Sequence, residues 1–278
     1  LQGKELEKLN SLSVADAIRY FSGVQLKDYG GVGGIKTINV RSLGSAHTAV
    51  FYDGMTVGNA QNAQVDLSKY SLDNIEAIEL YNGQKSSIFQ PARGFFSSNS
   101  LYLRSKTPRF DKDEKNHIRA AFKTGSFGLL NPSILYQQKI TSDLSLSASA
   151  ELVDAHGRYK YRYKKEGGYD TTAVRQNGDI RSLRTELTFY LMNKNIGKAT
   201  LKGYMYNSER GLPGAIVANR FSHNQRQWDR NIFVHASLEN SFFKNHGLLA
   251  NIKFSRDYNR YVDPEYVTLE GALDNRYY

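Results

Sequence analysis

Five glycines stand between Gly23 and Gly34, in GVQLKDYGGVGG. Backbone amides in such a loop can cradle a phosphate. Spacing argues against that chemistry here. A dinucleotide fingerprint needs Gly-x-Gly-x-x-Gly between a strand and a helix. Gly31-Val32-Gly33 is followed by Gly34-Ile35-Lys36, and Ile35 to Val40 then alternates β-branched residues as a strand does. No helix N-terminus is on offer to an anion, and no Gly-Lys-Ser/Thr stands at the P-loop offset. The glycines therefore shape tight turns or close backbone packing, or form a loop that touches a ligand, and both can hold at once.

Other groups invite binding rather than catalysis. Asn59, Gln61, Asn62 and Gln64 make an amide-rich loop. Such residues serve solvation, or they match a large neutral ligand rich in amides. Tyr159, Tyr161, Tyr163 and Tyr169 cluster further along, and RGLPGAIV follows at 210–217 with Leu212 and Pro213. Aromatics on a loop stack on a ligand or form the aromatic girdle at a membrane edge. Asp53-Gly54 reads as a hairpin turn. The six histidines are scattered, there is no cysteine, and no Gly-x-Ser-x-Gly elbow occurs. An enzyme reading has nothing to stand on, and neither a thiolate metal site nor a cofactor is expected.

The elements that must position these groups differ between two halves of the 278 residues. Up to about residue 108, SLSVADAIRYFSGV predicts a helix with Ser13 as N-cap and Asp16 in the capping-box place. Val14, Ala17, Ile18 and Phe21 share one face, and Gly23 ends it. Short strands follow in IKTINVRSL, HTAVFYDGM, IEAIELYNG and SLYLRSK. This is a small α+β domain.

Beyond it, long strands alternate strictly. Leu183, Leu187, Phe189 and Leu191 oppose Arg184, Glu186, Thr188 and Tyr190. Leu201, Gly203 and Met205 oppose Lys202, Tyr204 and Tyr206. Similar rows recur at 144–152, 232–239 and 248–255. The segments are longer than the about 5–6 residues of a soluble strand and suit the about 9–11 residues of a membrane-spanning one. Short turns at 141–143, 193–196 and 244–247 alternate with long polar links at 156–177, 209–224 and 261–275. That segregation marks an outer-membrane barrel rather than a sandwich. No apolar run reaches the roughly 18 residues of a membrane helix. A net charge of +10 admits a nucleic-acid or anionic-membrane partner. With no run of five basic residues, spread over solvated faces is favoured.

From Val14 to Lys106 the chain resembles the plug domain of TonB-dependent outer-membrane receptors. VADAIRYFSGVQL, GGVGGIKTINVRSLGS, TAVFYDGM, LDNIEAIELYNG and SLYLRSKTP carry the resemblance in order. In finer detail YGGVGGIKTINVRSLGS, FYDGM, GNAQNAQVDLSKYSLDNIE and NGQKSSIFQPA resemble cobalamin receptors of the Bacteroidota type. Arg41-Ser42 replaces the family's Arg-Gly, and Asn82 replaces an arginine before Gly83.

The resemblance implies a plug over 1–108 and the opening barrel strands over 109–278, in a wall of about 22 strands. Seven complete strands and the start of an eighth at DNRYY are expected, open at both edges. A signal peptide and a TonB-contacting segment are expected upstream of Leu1. It implies uptake of a scarce large ligand, a corrinoid such as cobalamin, or in the alternative a ferric siderophore. A soluble basic nucleic-acid-binding protein is the distant third reading, and it requires the apolar strand faces to pack in a core. Implied partners are the TonB-ExbB-ExbD energising complex, outer-membrane lipid and a surface lipoprotein, with no nucleic acid. Tyr29, Gly30 and Gly31 at the plug apex join the amides, Tyr161, Tyr163, Leu212 and Pro213 as ligand contacts. Arg41 would be buried against wall carboxylates, with Glu151 and Glu186 as candidates. The strand leaving the plug would run outward, placing the short turns in the periplasm and the long links outside the cell.

Overall fold

A computed structural model describes residues 1–9, 11–58, 64–83, 85, 90–164, 170–215, 223–242 and 246–265. Two short helices open the chain, α1 (Lys4–Lys8) and α2 (Val14–Ile18). The apolar stripe of α2 is fully buried at Val14, Ala15, Ala17 and Ile18. The capping box is not formed. Ser13 Oγ instead donates to Asp16 Oδ2 at 2.9 Å, and Lys36 Nζ meets Asp16 Oδ1 at 2.7 Å.

Strands β1 (Val24–Tyr29) and β2 (Ile35–Val40) pair antiparallel around the glycine turn. Strands β3 (Thr48–Tyr52), β4 (Met55–Val57), β5 (Ile75–Asn82) and β6 (Asn99–Ser105) form a sheet of order β4-β3-β6-β5 with β3 parallel to β6. A third short helix, α3 (Ala92–Phe96), precedes β6. The expected strand IKTINVRSL stops at Val40, because Arg41 and Ser42 both take positive φ, at 49° and 61°. The turn is thus made at the Arg-Ser pair itself, without glycine.

The second half is one antiparallel sheet. Its seven strands are β7 (Asn116–Gly125), β8 (Leu129–Lys139), β9 (Leu144–Ala155), β12 (Ile180–Asn193), β13 (Gly197–Gly211), β14 (Arg226–Phe242) and β15 (His246–Val262). Between β9 and β12 the long link itself folds as a hairpin, β10 (Tyr159–Lys164) paired with β11 (Asp170–Arg175). The long polar link expected over 156–177 is thus partly strand. The expected eighth strand at DNRYY, and Tyr169, lie outside the described residues.

The sheet curves past the plug and does not close. Each end strand, β7 and β15, pairs on one side only among the described residues. Such edges are aggregation-prone.

Strand parity decides what each face does. On β12, Ser182, Arg184, Glu186, Thr188 and Tyr190 are buried toward the plug. Leu183 and Leu187 point outward and are 40% and 45% exposed. Ile252 and Phe254 on β15 are 71% exposed. A soluble protein rarely exposes so continuous an apolar face. The third reading required these faces packed in a core, and they are not. The hydrophobic core lies in the plug, from Leu6 and Val14 to Leu101 and Leu103, and extends to the wall aromatics Tyr204, Tyr206 and Phe233.

Candidate functional site: a cavity at the plug apex and the contacts that hold the plug

At the long-link end, plug and wall enclose a cavity of about 960 Å³. Tyr29, Gly30, Gly31 and Gln64 line it from the plug, and Leu212 and Pro213 line it from the link after β13. Six of the expected contact residues thus meet at one cavity. Tyr161 and Tyr163 do not line it. They stand on β10 in a tyrosine row, with ring centroids 6.4 Å from Tyr159 to Tyr161 and 6.0 Å from Tyr161 to Tyr163. Tyr159 is the member of the row that reaches the cavity. Asn59, Gln61 and Asn62 lie outside the described residues.

The glycine turn has two physical causes. Gly30 and Gly31 take φ of 145° and 74°, which residues with a Cβ rarely adopt. Asp28 Oδ1 accepts from Gly31 N at 2.8 Å and steadies the turn. Gly33 and Gly34 are glycine for room. A Cβ on Gly33 would lie 2.9 Å from Asp179 O, and one on Gly34 would lie 2.5 Å from Gly30 N. Gly34→Ala will therefore push the apex turn apart and cost roughly 1–3 kcal/mol, the usual range for overpacking. Thermal denaturation of the purified full-length receptor measures it. A loss under about 0.5 kcal/mol, the scale of a neutral surface change, would show that the turn relaxes freely.

Beneath the cavity, charged side chains of the wall reach into the plug, three of the buried ones being Lys202, Arg184 and Arg210. Lys202 Nζ lies 2.6 Å from Asp53 Oδ2 and 3.3 Å from Glu186 Oε2, and donates to Ser105 Oγ at 3.0 Å. Glu186 Oε2 also accepts from Tyr52 Oη at 2.5 Å and Asn74 Nδ2 at 2.9 Å. Arg184 donates to Glu151 Oε2 at 2.5 Å and to the plug carbonyls of Lys69 and Ser68 at 2.6 and 2.8 Å. Arg210, fully buried, donates to Asp66 Oδ2 at 3.1 Å, Asp229 Oδ2 at 2.7 Å and Gly33 O at 3.3 Å.

Burial alone would raise the Asp53 carboxyl. The Lys202 ammonium and the Ser105 hydrogen bonds outweigh it and hold Asp53 below the usual carboxylate range. Burial, together with the Glu186 and Asp53 carboxylates, pushes the Tyr52 phenol well up, so Tyr52 stays a donor.

The expected pairing of Arg41 with Glu151 or Glu186 is not made among the described residues. Arg41 sits in the turn after β2, is exposed, and forms no ion pair among the described residues. Glu151 and Glu186 do face the plug, as parity predicts, but their cations are Arg184 and Lys202 of the wall itself. At these three anchors the cation is on the wall and the plug supplies carbonyls and carboxylates, whereas at Lys69–Asp229 the plug supplies the cation. Asp53 is both the hairpin turn foreseen, with φ of 46°, and an anchor that was not. Signals for the missed anchors were present: Arg184, Lys202 and Arg210 occupy plug-facing positions of their strands, where a cation must find a partner.

Residues 1–99 match the TonB-dependent Receptor Plug Domain family. Those residues therefore form a receptor plug domain, and a plug packed against the opening strands of a lipid-facing β-wall gives the chain the fold of the TonB-dependent receptors of the Gram-negative outer membrane. Its particular relatives differ in what they carry. It is 24% identical over 224 residues to the vitamin B12 transporter BtuB of Vibrio vulnificus, covering 78% of this chain and 32% of that protein. In fold it is similar to the ferric enterobactin receptor PfeA of Pseudomonas aeruginosa, with a TM-score of 0.66 at 14% identity, over 100% of this chain and 44% of that one. The FrpB iron transporter of Neisseria meningitidis gives 0.67 at 10% identity, over 93% and 40%. The chain thus spans about a third of the length of the curated relative it matches.

Proposed function

We propose that the receptor imports a large, neutral, amide-bearing ligand, a corrinoid such as cobalamin, and that it binds in the cavity at the plug apex. The long links then face the outside, the short turns face the periplasm, and the TonB-ExbB-ExbD complex supplies the energy that releases the plug.

The balance of charge in the cavity carries this reading. Among the described residues three cations line it, Lys69, Arg175 and Lys253, against four carboxylates, Asp28, Asp66, Asp229 and Asp257. Several are neutralised within the protein. Asp66 and Asp229 face Arg210, and Asp229 also lies 3.3 Å from Lys69. The other polar side chains of the lining are largely amides, among them Gln225, Gln227, Asn231 and Asn259, which bond to carboxylates of the protein and lower their hold on a ligand, and Tyr29, Tyr258 and Phe233 offer apolar contact. A strongly anionic iron chelate would need an excess of cations that this lining does not offer. The B12 transporter's 24% identity supports the same side.

Isothermal titration of the detergent-solubilised full-length receptor with cyanocobalamin and with ferric enterobactin separates the ligands. Saturable one-to-one binding of cyanocobalamin is expected, with little change between low and high salt because no net charge is neutralised. Binding of the iron chelate alone would overturn the corrinoid reading and leave the receptor class untouched.

A further inference from the structure

A second cavity, of about 490 Å³, opens between plug and wall at the short-turn end. It follows the same strands as the first. Along β13 the plug-facing row divides between Tyr204, which lines the apex cavity, and Lys202, which lines the second. On β14 the division falls between Phe233 and His235, and on β15 between Lys253 and Asn251. The two spaces are therefore consecutive along one lane of the wall.

A thin aromatic layer stands between them. Tyr204 and Phe233 stack with centroids 4.7 Å apart, and Tyr52 of the plug meets each edge-on at 6.5 Å. Lys202 Nζ lies 4.2 Å over the Tyr52 ring, and Lys253 Nζ lies 5.2 Å over Phe233. Lys253 also donates to the plug carbonyl of Thr56 at 3.0 Å. Plug and wall thus both contribute to the layer, so movement of the plug must open it.

The second cavity also carries an unspent donor or acceptor. His235 is 2% exposed, yet its Nε2 has no hydrogen-bond partner among the described residues. Lys202, Asp53, Thr188, Thr200, Ser237 and Asn251 are among its other polar lining residues. A buried polar atom without a partner is costly, and a polar ligand in passage would satisfy it.

Resting on the corrinoid reading only for the choice of probe, we infer that the ligand leaves the apex cavity along the β13–β15 lane. The Tyr52–Tyr204–Phe233 layer is its gate, and the cavity at Ser237 and His235 is a second, exit-side subsite.

Two arms test this in the full-length receptor. In the first, Ser237→Trp and Thr200→Trp fill the exit cavity, while Leu238→Trp places the same bulk on the outward face of β14. Cyanocobalamin affinity should stay within about twofold for all three, while uptake into cells falls at least about tenfold for the cavity-filling pair alone, since a blocked path stops transfer and not binding. Uptake equal to wild type with either cavity filled would overturn the route. In the second arm no ligand is used. A single cysteine at Ser237→Cys is labelled from outside the cell by a membrane-impermeant maleimide, with and without Phe233→Ala. Labelling should rise about tenfold when the layer is thinned, as a cavity left by a deleted ring opens the path. Unchanged labelling would overturn the gate. Failure of wild type to bind cyanocobalamin would sink the corrinoid reading while this second arm still decides the route.

Discussion

Lys202→Met in the full-length receptor will loosen the plug by roughly 3–5 kcal/mol, the cost of leaving a buried charge without its partner. Lys202 is 3% exposed at its side chain and Glu186 4%. Removing the ammonium leaves Asp53 and Glu186 facing each other across Tyr52 with no cation between them. Surface pairs give the contrast. Arg181–Asp154 is 79% and 38% exposed, and such a pair contributes about 0–1 kcal/mol. Arg181→Met should therefore be nearly silent. Calorimetry of the purified receptor, following the plug transition separately from the wall, reads both. Equal effects of the two substitutions would show that burial does not set the strength of these anchors.

The same anchor sets a pH expectation. Asp53 has its folded pKa below the ordinary carboxylate value, so its contribution is present above that value and is lost as pH falls through the lower folded one. Plug anchoring through Asp53 should thus hold at neutral pH and weaken only in acid, below about pH 4. In Lys202→Met that acid dependence should reverse, because protonating Asp53 then removes an unpaired charge.

Arg210→Met will have the second large effect, and a broader one. Arg210 is fully buried and joins Gly33 of the apex turn to Asp66 of the plug and Asp229 of the wall. Both carboxylates line the apex cavity. Its loss should cost roughly 3–5 kcal/mol of plug stability and also weaken ligand binding, because Asp66 loses its guanidinium and Asp229 keeps only Lys69 against a neutral ligand. Adding Asp66→Asn should restore part of both losses, since residues in one network do not act additively. Calorimetry and ligand titration on the single and double substitutions test this together. Stability lost with affinity unchanged would separate the anchor from the binding site.

Much of the architecture was legible from alternation alone. The rows Leu183–Leu191 and Leu201–Met205 announce strands with one apolar face, and a period of two leaves each residue one of two sides. That is why parity alone turns Glu151 and Glu186 toward the plug. Turn chemistry was legible for a similar local reason. Asp53-Gly54 and the glycines at 30 and 31 have few backbone conformations to choose from. The hairpin within 156–177 was not legible, because a run of tyrosines and lysines in a polar link fits loop and strand alike.

What the sequence by itself determined is therefore local: which residues form strands, which face each side chain takes, where the chain turns, and that the wall faces lipid. Tertiary structure alone decided the partners. Lys202 meets Asp53 across 149 positions of chain, and Arg210 meets Asp66 across 144. Nothing in a strand's period tells which plug residue stands opposite it, because that depends on how the plug sits against the wall. Arg41 shows the same limit. Its type suits a buried pair, yet the left-handed turn at Arg41 and Ser42 holds it away from Glu151 and Glu186, which pair with Arg184 and Lys202. Lys202, Arg184 and Arg210 are buried on the wall, where desolvation makes each require the partner it found.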